Sequence, residues 1–268
     1  MLAGLSANGV TVVEEVKPTR DHTERMLRGF GAEIGVEQMP EGGLRVTVGG
    51  GQHLSAIEAA IPGDPSSAAF LVAAGIISPQ GDVMVEGVMS NDTRSGFYDV
   101  ANLMGAHLGA EEVGEAAGER LVTVHAGAAA LQGRAVPERL VPSMIDEFPI
   151  LAVLASFAEG ETVVTGAEEL RVKESDRIGA VVAMLRSNGV EAEERPDGFA
   201  VQGCGGPPPG GGLVETRHDH RIAMSALIMG TAAQKPVSVD DIAMIATSYP
   251  DFLSHMAELG ADISETAS

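Results

Sequence analysis

The sequence predicts an α/β fold in which one supersecondary unit is repeated along the chain. Four amphipathic helical stretches, at similar intervals, each end at a glycine followed by alanine or valine: Gly31, Gly105, Gly189 and Gly260. A second set of helices, rich in small residues, alternates with the first, and each of these runs into a β-branched strand. Such regular alternation of helices and strands indicates an α/β repeat with mixed sheets.

The glycine at the end of each amphipathic stretch predicts a helix C terminus. Glycine adopts the left-handed backbone conformation that turns the chain out of a helix, without the steric cost of a Cβ atom. We therefore expect a turn and then a strand after each of the four glycines.

The second set of elements follows the same order in each repeat. Small-residue helices are predicted at 66–77, 147–158 and 221–233, and the strands after them at 82–88, 162–165 and 236–239. Extra strands are predicted at 44–48, 121–124 and 199–202. Each unit therefore reads helix, strand, helix, strand, with additional strands.

The first unit of the sequence is incomplete. Residues 9–13 match the strand after a small-residue helix, but only residues 1–5 of that helix are present. We therefore expect residues 1–60 to be the last unit of a truncated domain and residues 61–268 to be a larger domain of three units. A short linker that ends before Gly63 should separate them. The larger domain is expected to show an open sheet edge or an exposed apolar patch.

Composition excludes several classes of function. With 17 Lys+Arg against 38 Asp+Glu in 268 residues, the chain lacks the broad basic field of a nucleic-acid surface. Its longest apolar stretches, 148–158 and 222–233, are well short of the ~20 residues that a membrane span needs. A single cysteine, Cys204 in a loop rich in glycine and proline, excludes a disulfide framework, predicts an inert thiol and fits a reducing cytoplasm.

Basic side chains are nevertheless concentrated in two short segments. These basic residues are Arg171, Lys173, Arg177, Arg217 and Arg221, and the carboxylate of Glu174 lies among them. On so acidic a chain, this concentration indicates a small site for a multiply anionic ligand. The alternative is a solvated helix start in which Lys173 and Arg177 are i,i+4 neighbours on one face.

Two further groups have both a functional and a structural interpretation. His218 and His220 form a His-x-His pair, but no third metal ligand stands at a suitable spacing, so no metal site is expected. Ser66 and Ser67 open a predicted helix, where capping is favoured over contacts to an anion.

The segments that hold these charges resemble the enolpyruvyl transferase family, and within it the 5-enolpyruvylshikimate-3-phosphate synthases. The motifs are Gly63-Asp64-Pro65-Ser66-Ser67-Ala68-Ala69-Phe70, Pro142-Ser143-Met144-Ile145-Asp146-Glu147, 170–177, Asp219-His220-Arg221-Ile222-Ala223-Met224 and 246–252. Thr19-Arg20-Asp21-His22-Thr23-Glu24 is similar to the class II branch. The resemblance implies the six-fold βαβαββ architecture, of which this chain covers roughly the C-terminal three-fifths.

The resemblance also implies a reaction. Family members transfer the enolpyruvyl group of phosphoenolpyruvate to the 5-hydroxyl of shikimate 3-phosphate and release phosphate. They do so without metal, cofactor or covalent enzyme intermediate. Such chemistry needs cations for two phosphates and a carboxylate, a base for the hydroxyl and an acid for the methylene carbon. The implied partners are the two small-molecule substrates and the missing N-terminal portion.

Six positions match the family's functional residues. Asp146 matches the aspartate that binds the shikimate ring and accepts the hydroxyl proton, and Glu174 the proton shuttle at phosphoenolpyruvate. Lys173 matches the lysine that contacts shikimate 3-phosphate and the reacting oxygen, and Arg20 matches a class II position near the shikimate ring or phosphate. The alternative for Arg20 is an exposed charge at a helix start. Arg177 and Arg221 match the arginines that clamp phosphoenolpyruvate, a task suited to planar bidentate donors.

Asp146 also has a purely structural interpretation. It precedes an apolar helix with Pro149 in its first turn, so it is a candidate N-cap. The positive end of the helix dipole there favours an ionised carboxylate, as a base requires. The two roles are compatible.

Two departures from the family pattern limit what this chain is expected to do. Thr247 stands where many class I relatives have a lysine that binds phosphoenolpyruvate. The sequence also lacks the family's N-terminal Lys-Ser, arginine and Ser-Ala-Gln segments, which form the opposite wall of the cleft. Because positioning supplies much of the rate, the 268 residues alone are expected to be inactive.

Two alternatives remain at this level. One is the related transferase that acts on a UDP-amino sugar, whose mobile loop has a reactive cysteine in a context unlike that of Cys204. The other is a non-catalytic remnant or module that binds a phosphorylated metabolite through the arginine cluster.

Overall fold

The fold consists of eight α-helices and eleven β-strands in the part of the chain that the computed structural model describes, residues 1–17 and 19–265. The helices are α1 (Leu2–Leu5), α2 (His22–Gly29), α3 (Pro65–Ile77), α4 (Gly96–Leu103), α5 (Phe148–Phe157), α6 (Arg177–Ser187), α7 (His220–Ala232) and α8 (Phe252–Glu258). The strands are β1 (Val10–Glu15), β2 (Ile34–Gln38), β3 (Leu44–Gly49), β4 (Asp82–Ser90), β5 (Gly109–Ala116), β6 (Glu119–Gly127), β7 (Glu161–Val164), β8 (Glu191–Arg195), β9 (Gly198–Gln202), β10 (Leu213–Val214) and β11 (Ser238–Val239).

The three larger sheets share one topology. Their strand orders are β1-β3-β2, β4-β6-β5 and β7-β9-β8, so the third strand of each always lies in the middle and pairs antiparallel with both neighbours. In the later units, a segment upstream of the unit's first strand pairs with that strand in parallel. These pairings join Gly63 to Val88, Ala135 to Val163, and β10 to β11. These pairings complete a repeated βαβαββ unit, and the predicted α/β fold class is confirmed.

The small-residue helices α3, α5 and α7 form the centre of the core. All ten residues of α5 are buried, and α3, α5 and α7 pack against one another. A helix that is apolar on all sides has no face for solvent, which explains this central position. The predicted boundaries of all three helices agree with the structure to within one residue at each end.

The four turn glycines have the predicted left-handed backbone. Their φ angles are 90° at Gly31, 103° at Gly105, 76° at Gly189 and 87° at Gly260. Strands β2, β5 and β8 follow the first three glycines, as expected. The expectation of a strand after Gly260 is wrong for the described residues, where 261–265 pair with no neighbouring strand. A strand needs a partner for its backbone hydrogen bonds, and a turn alone does not supply one.

The helix start expected at Lys173 is also wrong. Helix α6 begins at Arg177, and the carboxylate of Asp176 caps it by accepting a hydrogen bond from the amide of Gly179 at 3.2 Å. Lys173 follows a short 3-10 turn and pairs instead with Glu169, its Nζ 2.7 Å from Oε1. Lys173 and Arg177 are therefore not i,i+4 neighbours on one helix.

The cap of α3 differs from the expectation as well. Asp64, and neither Ser66 nor Ser67, is the N-cap, because its Oδ2 accepts from the amide of Ser67 at 3.0 Å. The Ser66 hydroxyl instead accepts a hydrogen bond from Nη2 of Arg94 at 2.6 Å and is buried.

The division into residues 1–60 and 61–268 stays our proposal. Every buried member of the main apolar cluster lies between residues 68 and 256, whereas β1, β2 and β3 form their own sheet with α1 and α2. Residue 18 and residues 266–268 of the two proposed ranges lie outside the described residues. A cavity of about 450 Å³ beside Leu2, Met26 and Leu54 lies in the first range. The open sheet edge or exposed apolar patch expected for the larger domain stays a prediction.

Candidate functional site

The carboxylate of Asp146 is the meeting point of cations from distant parts of the chain. Its Oδ2 accepts a hydrogen bond from Nη2 of Arg20 at 2.7 Å. Its Oδ1 lies 3.2 Å from Nη1 of Arg177 and 3.5 Å from Nζ of Lys173. Nη1 of Arg221 donates to the backbone carbonyl of Asp146 at 3.1 Å. Four of the six predicted site residues therefore contact Asp146, which is itself one of the six.

These cations keep the Asp146 carboxyl ionised. Burial by itself raises its pKa, but the charges of Arg221, Arg20 and Lys173 and the hydrogen bond from Arg20 lower it by more. The pKa of Asp146 therefore lies well below its ordinary value. A carboxylate that is ionised and partly buried among cations meets the first requirement for a general base.

Asp146 is not the cap of the helix that follows it. Helix α5 begins at Phe148 with Glu147 at the N-cap position, and no side-chain hydrogen bond caps its first turn. The oxygens of Asp146 are directed to cations instead. The N-cap interpretation is therefore wrong.

Arg177 is held from behind by Asp219. Its guanidinium is 0% exposed, and its Nε donates to Oδ2 of Asp219 at 2.9 Å, in addition to the contact with Asp146. Burial raises the pKa of Asp219, but hydrogen bonds and charge from Arg177 and a hydrogen bond from Ser175 lower it by more, to below its ordinary value. The pair is therefore charged and fixed in position.

Asp219 links two proposed substrate arginines through one carboxylate. Besides binding Arg177, it caps α7 by accepting the amide hydrogen of Arg221 at 3.0 Å, and it accepts from the hydroxyl of Ser175 at 2.9 Å. Sequence reasoning missed both Asp219 and Ser175 as parts of the site. An aspartate directly before an apolar helix is an N-cap signal, and that signal was available in the sequence.

The carboxylate of Glu174 is half exposed, with 48% of its side chain accessible. It pairs with Nη2 of Arg177 at 2.5 Å, which places it at the mouth of the cluster. The carboxyl of Glu147, the residue after Asp146 in the chain, is by contrast 3% exposed. Burial raises the pKa of Glu147 by more than Ser66, Arg221 and Arg94 lower it. Its Oε1 lies 3.8 Å from Nη1 of Arg221.

Two of the five clustered cations do not contact Asp146. Arg171 donates to Asp176 at 2.9 Å and to Glu194 at 3.0 Å, and so attaches the β8–β9 hairpin to the segment before α6. Arg217 is exposed, and together with His218 it forms two successive non-glycine residues in the left-handed region, at φ 54° and 58°. Only Lys173, Arg177 and Arg221 of that set reach Asp146.

The His-x-His pair has no third ligand among the described residues. His218 is exposed and lies 3.6 Å from Asp241, whereas His220 is buried. The one group of three potential ligands in the described part of the chain is Asp21, His22 and Glu119, whose ligand atoms lie within 4.8 Å of one another. Hydrogen bonds from Arg25 and Asn91 already occupy oxygens of this group.

A cavity of about 570 Å³ lies close to the cluster. Its walls include Thr19, next to Arg20, and Ser143, three residues before Asp146, together with Arg139 and Glu168. This volume is in the range typical of pockets for small metabolites. Cys204 is exposed, and the partial burial of its thiol raises the pKa of that group, the opposite of what activates a cysteine nucleophile.

The part of the chain that the structure describes contains no helix with both the length and the apolarity needed to cross a membrane.

Sequence comparisons identify one family. The sequence model of EPSP synthase (3-phosphoshikimate 1-carboxyvinyltransferase) matches residues 1–256. A 3-phosphoshikimate 1-carboxyvinyltransferase of Hyphomonas neptunium is 76% identical over 98% of this chain and 60% of its own length. Its counterpart in Phenylobacterium zucineum is 51% identical over 98% of this chain and 58% of its own length.

Solved structures agree with the sequence relatives. EPSP synthase from Acinetobacter baumannii superposes with a TM-score of 0.89 at 40% identity, covering 98% of this chain and 60% of its own. The enolpyruvyl transferase NikO from Streptomyces tendae has a TM-score of 0.73 at 21% identity, covering 100% and 59%, and shows a shared fold. The chain thus spans about three-fifths of the length of the relatives it matches.

Proposed function

This chain belongs to the EPSP synthase family, and on that premise we propose that it forms one wall of the active site of a 3-phosphoshikimate 1-carboxyvinyltransferase. The observation that carries the proposal is the ionised carboxylate of Asp146 among four cations. A site for two phosphorylated substrates needs this excess of cations, and the transfer needs a base inside it.

The proposed chemistry begins at the 5-hydroxyl of shikimate 3-phosphate. Asp146 accepts the hydroxyl proton while the oxygen forms a bond to C2 of phosphoenolpyruvate. A proton adds to the methylene carbon, and a tetrahedral adduct results. A methyl proton then returns to Glu174, its electron pair forms the double bond between C2 and the methylene carbon, and the bond from C2 to the phosphate oxygen breaks. Inorganic phosphate and the enolpyruvyl ether are the products.

The four cations at Asp146 divide into a more buried pair, Arg177 and Arg221, and a more exposed pair, Lys173 and Arg20. The guanidinium of Arg177 donates to Asp219, and the same carboxylate accepts the backbone amide hydrogen of Arg221 at the start of α7. The Arg177 guanidinium is therefore fixed in advance and meets an anion with little reorganisation, which is the property that makes electrostatic catalysis effective. We assign Arg177 and Arg221 to phosphoenolpyruvate. We assign Lys173 and Arg20 to shikimate 3-phosphate.

Glu174 is proposed as the acid at the methylene carbon. Its contact with Arg177 gives a route to protonation, because an anion bound at Arg177 competes with Glu174 for the guanidinium. A carboxylate that loses its cation and gains an anionic neighbour takes up a proton more readily. Glu147 is assigned no catalytic role in this proposal.

The test uses a chimera with the relative from Hyphomonas neptunium, of which this chain covers 60%. The 268 residues are joined to the part of that relative which they do not match. The chimera should release phosphate from phosphoenolpyruvate and shikimate 3-phosphate, whereas the 268 residues alone should not.

In this chimera, Asp146→Ala and Glu174→Gln should each reduce turnover by roughly 10²–10⁴-fold, the usual contribution of a positioned acid or base. Glu193→Gln, at an exposed ion pair on β8, is the matched control and should leave turnover unchanged. Normal turnover in both site variants would contradict the assigned roles. A chimera that folds and binds both substrates without turnover would favour a binding module instead.

We also expect the protein to act in the cytoplasm, where the unpaired thiol of Cys204 stays reduced.

A further inference from the structure

Arg20 differs from the other cations at Asp146 in how it is held. Its side chain is 39% exposed, whereas those of Lys173, Arg221 and Arg177 are 22%, 12% and 0% exposed. Asp146 is its one hydrogen-bond partner among the described residues. Arg20 and Asp146 are 126 positions apart in the sequence, and their contact is 2.7 Å long. The residues that flank Arg20 must therefore hold it in position for this contact.

The residue after Arg20 is fixed from two directions. Asp21 accepts a hydrogen bond through Oδ1 from the amide of Asn91 at 2.7 Å, and through Oδ2 from Nε of Arg25 at 2.8 Å. Burial raises the pKa of Asp21, but the hydrogen bonds from Asn91 and Arg25 and the charge of Arg25 lower it by more. Asp21 is therefore an ionised anchor at the start of α2.

Glu119 completes the junction from the other side. It is 5% exposed, and its carboxylate accepts hydrogen bonds from Nδ2 of Asn91 at 3.0 and 3.2 Å. Its Oε1 also lies 2.7 Å from Nδ1 of His22, and its Oε2 3.6 Å from Nε of Arg25. A buried carboxylate that receives several donors is expensive to misplace, because losing them leaves an unpaired charge in the interior.

The hairpin that carries Glu119 is itself shaped to meet α2. Ala117 and Gly118 at its tip both have positive φ, 53° and 79°, the two-residue turn whose twist suits a hairpin. The carbonyl of Gly118 lies 3.5 Å from Nη1 of Arg25, and a Cβ atom at Gly118 would come within 3.4 Å of the Arg25 carbonyl. The hairpin tip therefore rests directly on α2.

We propose that Glu119 and Asn91 are positioning residues that deliver Arg20 to the shikimate 3-phosphate site through the buried junction with Asp21, His22 and Arg25. Every member of the junction within residues 1–60 lies within five positions of Arg20. The two partners in the β4–β6 region lie far from Arg20 in sequence and touch neither Arg20 nor Asp146. The proposal rests on the role proposed above for Arg20 but adds residues that act only through it.

The first experiment is a double-mutant cycle in the chimera described above. Glu119→Ala should raise KM for shikimate 3-phosphate by about 10- to 100-fold, equivalent to one charge-assisted hydrogen bond, with a smaller change in kcat. Arg20→Ala should do the same. In the double variant the effects should not add, since Glu119 acts through Arg20. Additive effects would mean that Glu119 contributes to general stability only, and the proposal would fail.

Two further variants keep the test decisive if Glu119→Ala does not fold. Glu119→Gln keeps the side-chain shape and removes the charge, and Asp21→Asn weakens the junction from the α2 side. Both should raise the same KM by less than Glu119→Ala. Glu115→Ala, an exposed glutamate on the same hairpin, is the matched control and should change nothing.

The second experiment does not depend on activity. In the 268-residue chain, Glu119→Gln should speed amide hydrogen exchange in α2 by about 10-fold relative to the Glu115→Ala control, because an open junction frees the helix. If the chimera shows no turnover, the proposed function fails while this measurement still decides the junction. Unchanged exchange in α2 would overturn the positioning role whatever the activity.

Discussion

Arg177 and Arg20 both contact the carboxylate of Asp146, but Arg177 is buried and Arg20 is exposed. Arg177 is 0% exposed and also binds Asp219 and Glu174, whereas Arg20 is 39% exposed and binds Asp146 alone among the described residues. The Coulomb attraction of an exposed pair is screened by water, but a buried guanidinium depends on every one of its partners. One side of the site is therefore built into the core, and the other is brought to it by a junction.

This difference teaches that the two arginines should fail in different ways. Loss of Asp219, the fully buried partner of Arg177, should destabilise the protein strongly, because the remaining charge stays in the interior. Loss of Arg20 should affect ligand binding and leave stability nearly intact.

The largest effect is expected for Asp219→Ala. Removing this carboxylate leaves the buried guanidinium of Arg177 without its main partner and α7 without its cap, so the free energy of unfolding should fall by roughly 3–5 kcal/mol. Urea denaturation followed by circular dichroism measures the loss. Asp219→Asn, which keeps a capping oxygen, should lose less. A variant as stable as the parent chain would show that Arg177 is not held by this pair.

A smaller effect of opposite sign is expected at Glu147. Its raised pKa means that it contributes stability below the pKa of the unfolded carboxyl, about 4.3, and that this contribution is lost as the pH rises through the folded value. Glu147→Gln removes the buried charge, so at pH 7 it should stabilise the chain by about 1 kcal/mol. The gain should shrink as the pH falls towards 4. A variant that is less stable than the parent at pH 7 would show that Arg221 and Arg94 stabilise the charged form of Glu147 by more than burial destabilises it.

The smallest effect on stability is expected for Arg20→Ala. An ion pair with one exposed partner contributes about 0–1 kcal/mol, so the unfolding midpoint should hardly move. Measured beside Asp219→Ala in the same denaturation series, it sharpens the comparison directly. A loss close to that of Asp219→Ala would mean that Arg20 is a structural residue, and its assignment to shikimate 3-phosphate would lose its basis.

Much of the local structure could be predicted from the chain. The boundaries of α3, α5 and α7 follow from unbroken runs of small apolar residues, and the turns at Gly31 and Gly189 follow from the need for a left-handed residue. The alternative of a helix start at Lys173 lies four residues before the observed start of α6, because the charges at Lys173 and Arg177 fit an i,i+4 pattern that the backbone does not adopt. The Asp176 cap decides the true start.

The functional site, too, could be predicted from the sequence only in part. The motif resemblance selected Asp146, Lys173, Glu174, Arg177, Arg221 and Arg20, and the structure brings them together. The resemblance gave no information on which of these residues is buried: Arg177 is 0% exposed, whereas 48% of the Glu174 side chain is exposed. Asp219 and Glu119 were not selected, because their partners lie 42 and up to 97 positions away.

By itself, then, the sequence determined the elements of this protein: which segments are helices, where glycine ends them, and which residue types are available for an anionic site. These depend on interactions within a few positions, which the order of residues records directly. Only the tertiary structure decided which charges are buried, which carboxylate holds which arginine, and how Arg20 is delivered to Asp146. Those outcomes depend on what packs across from each side chain, since desolvation and pairing are properties of the assembled fold.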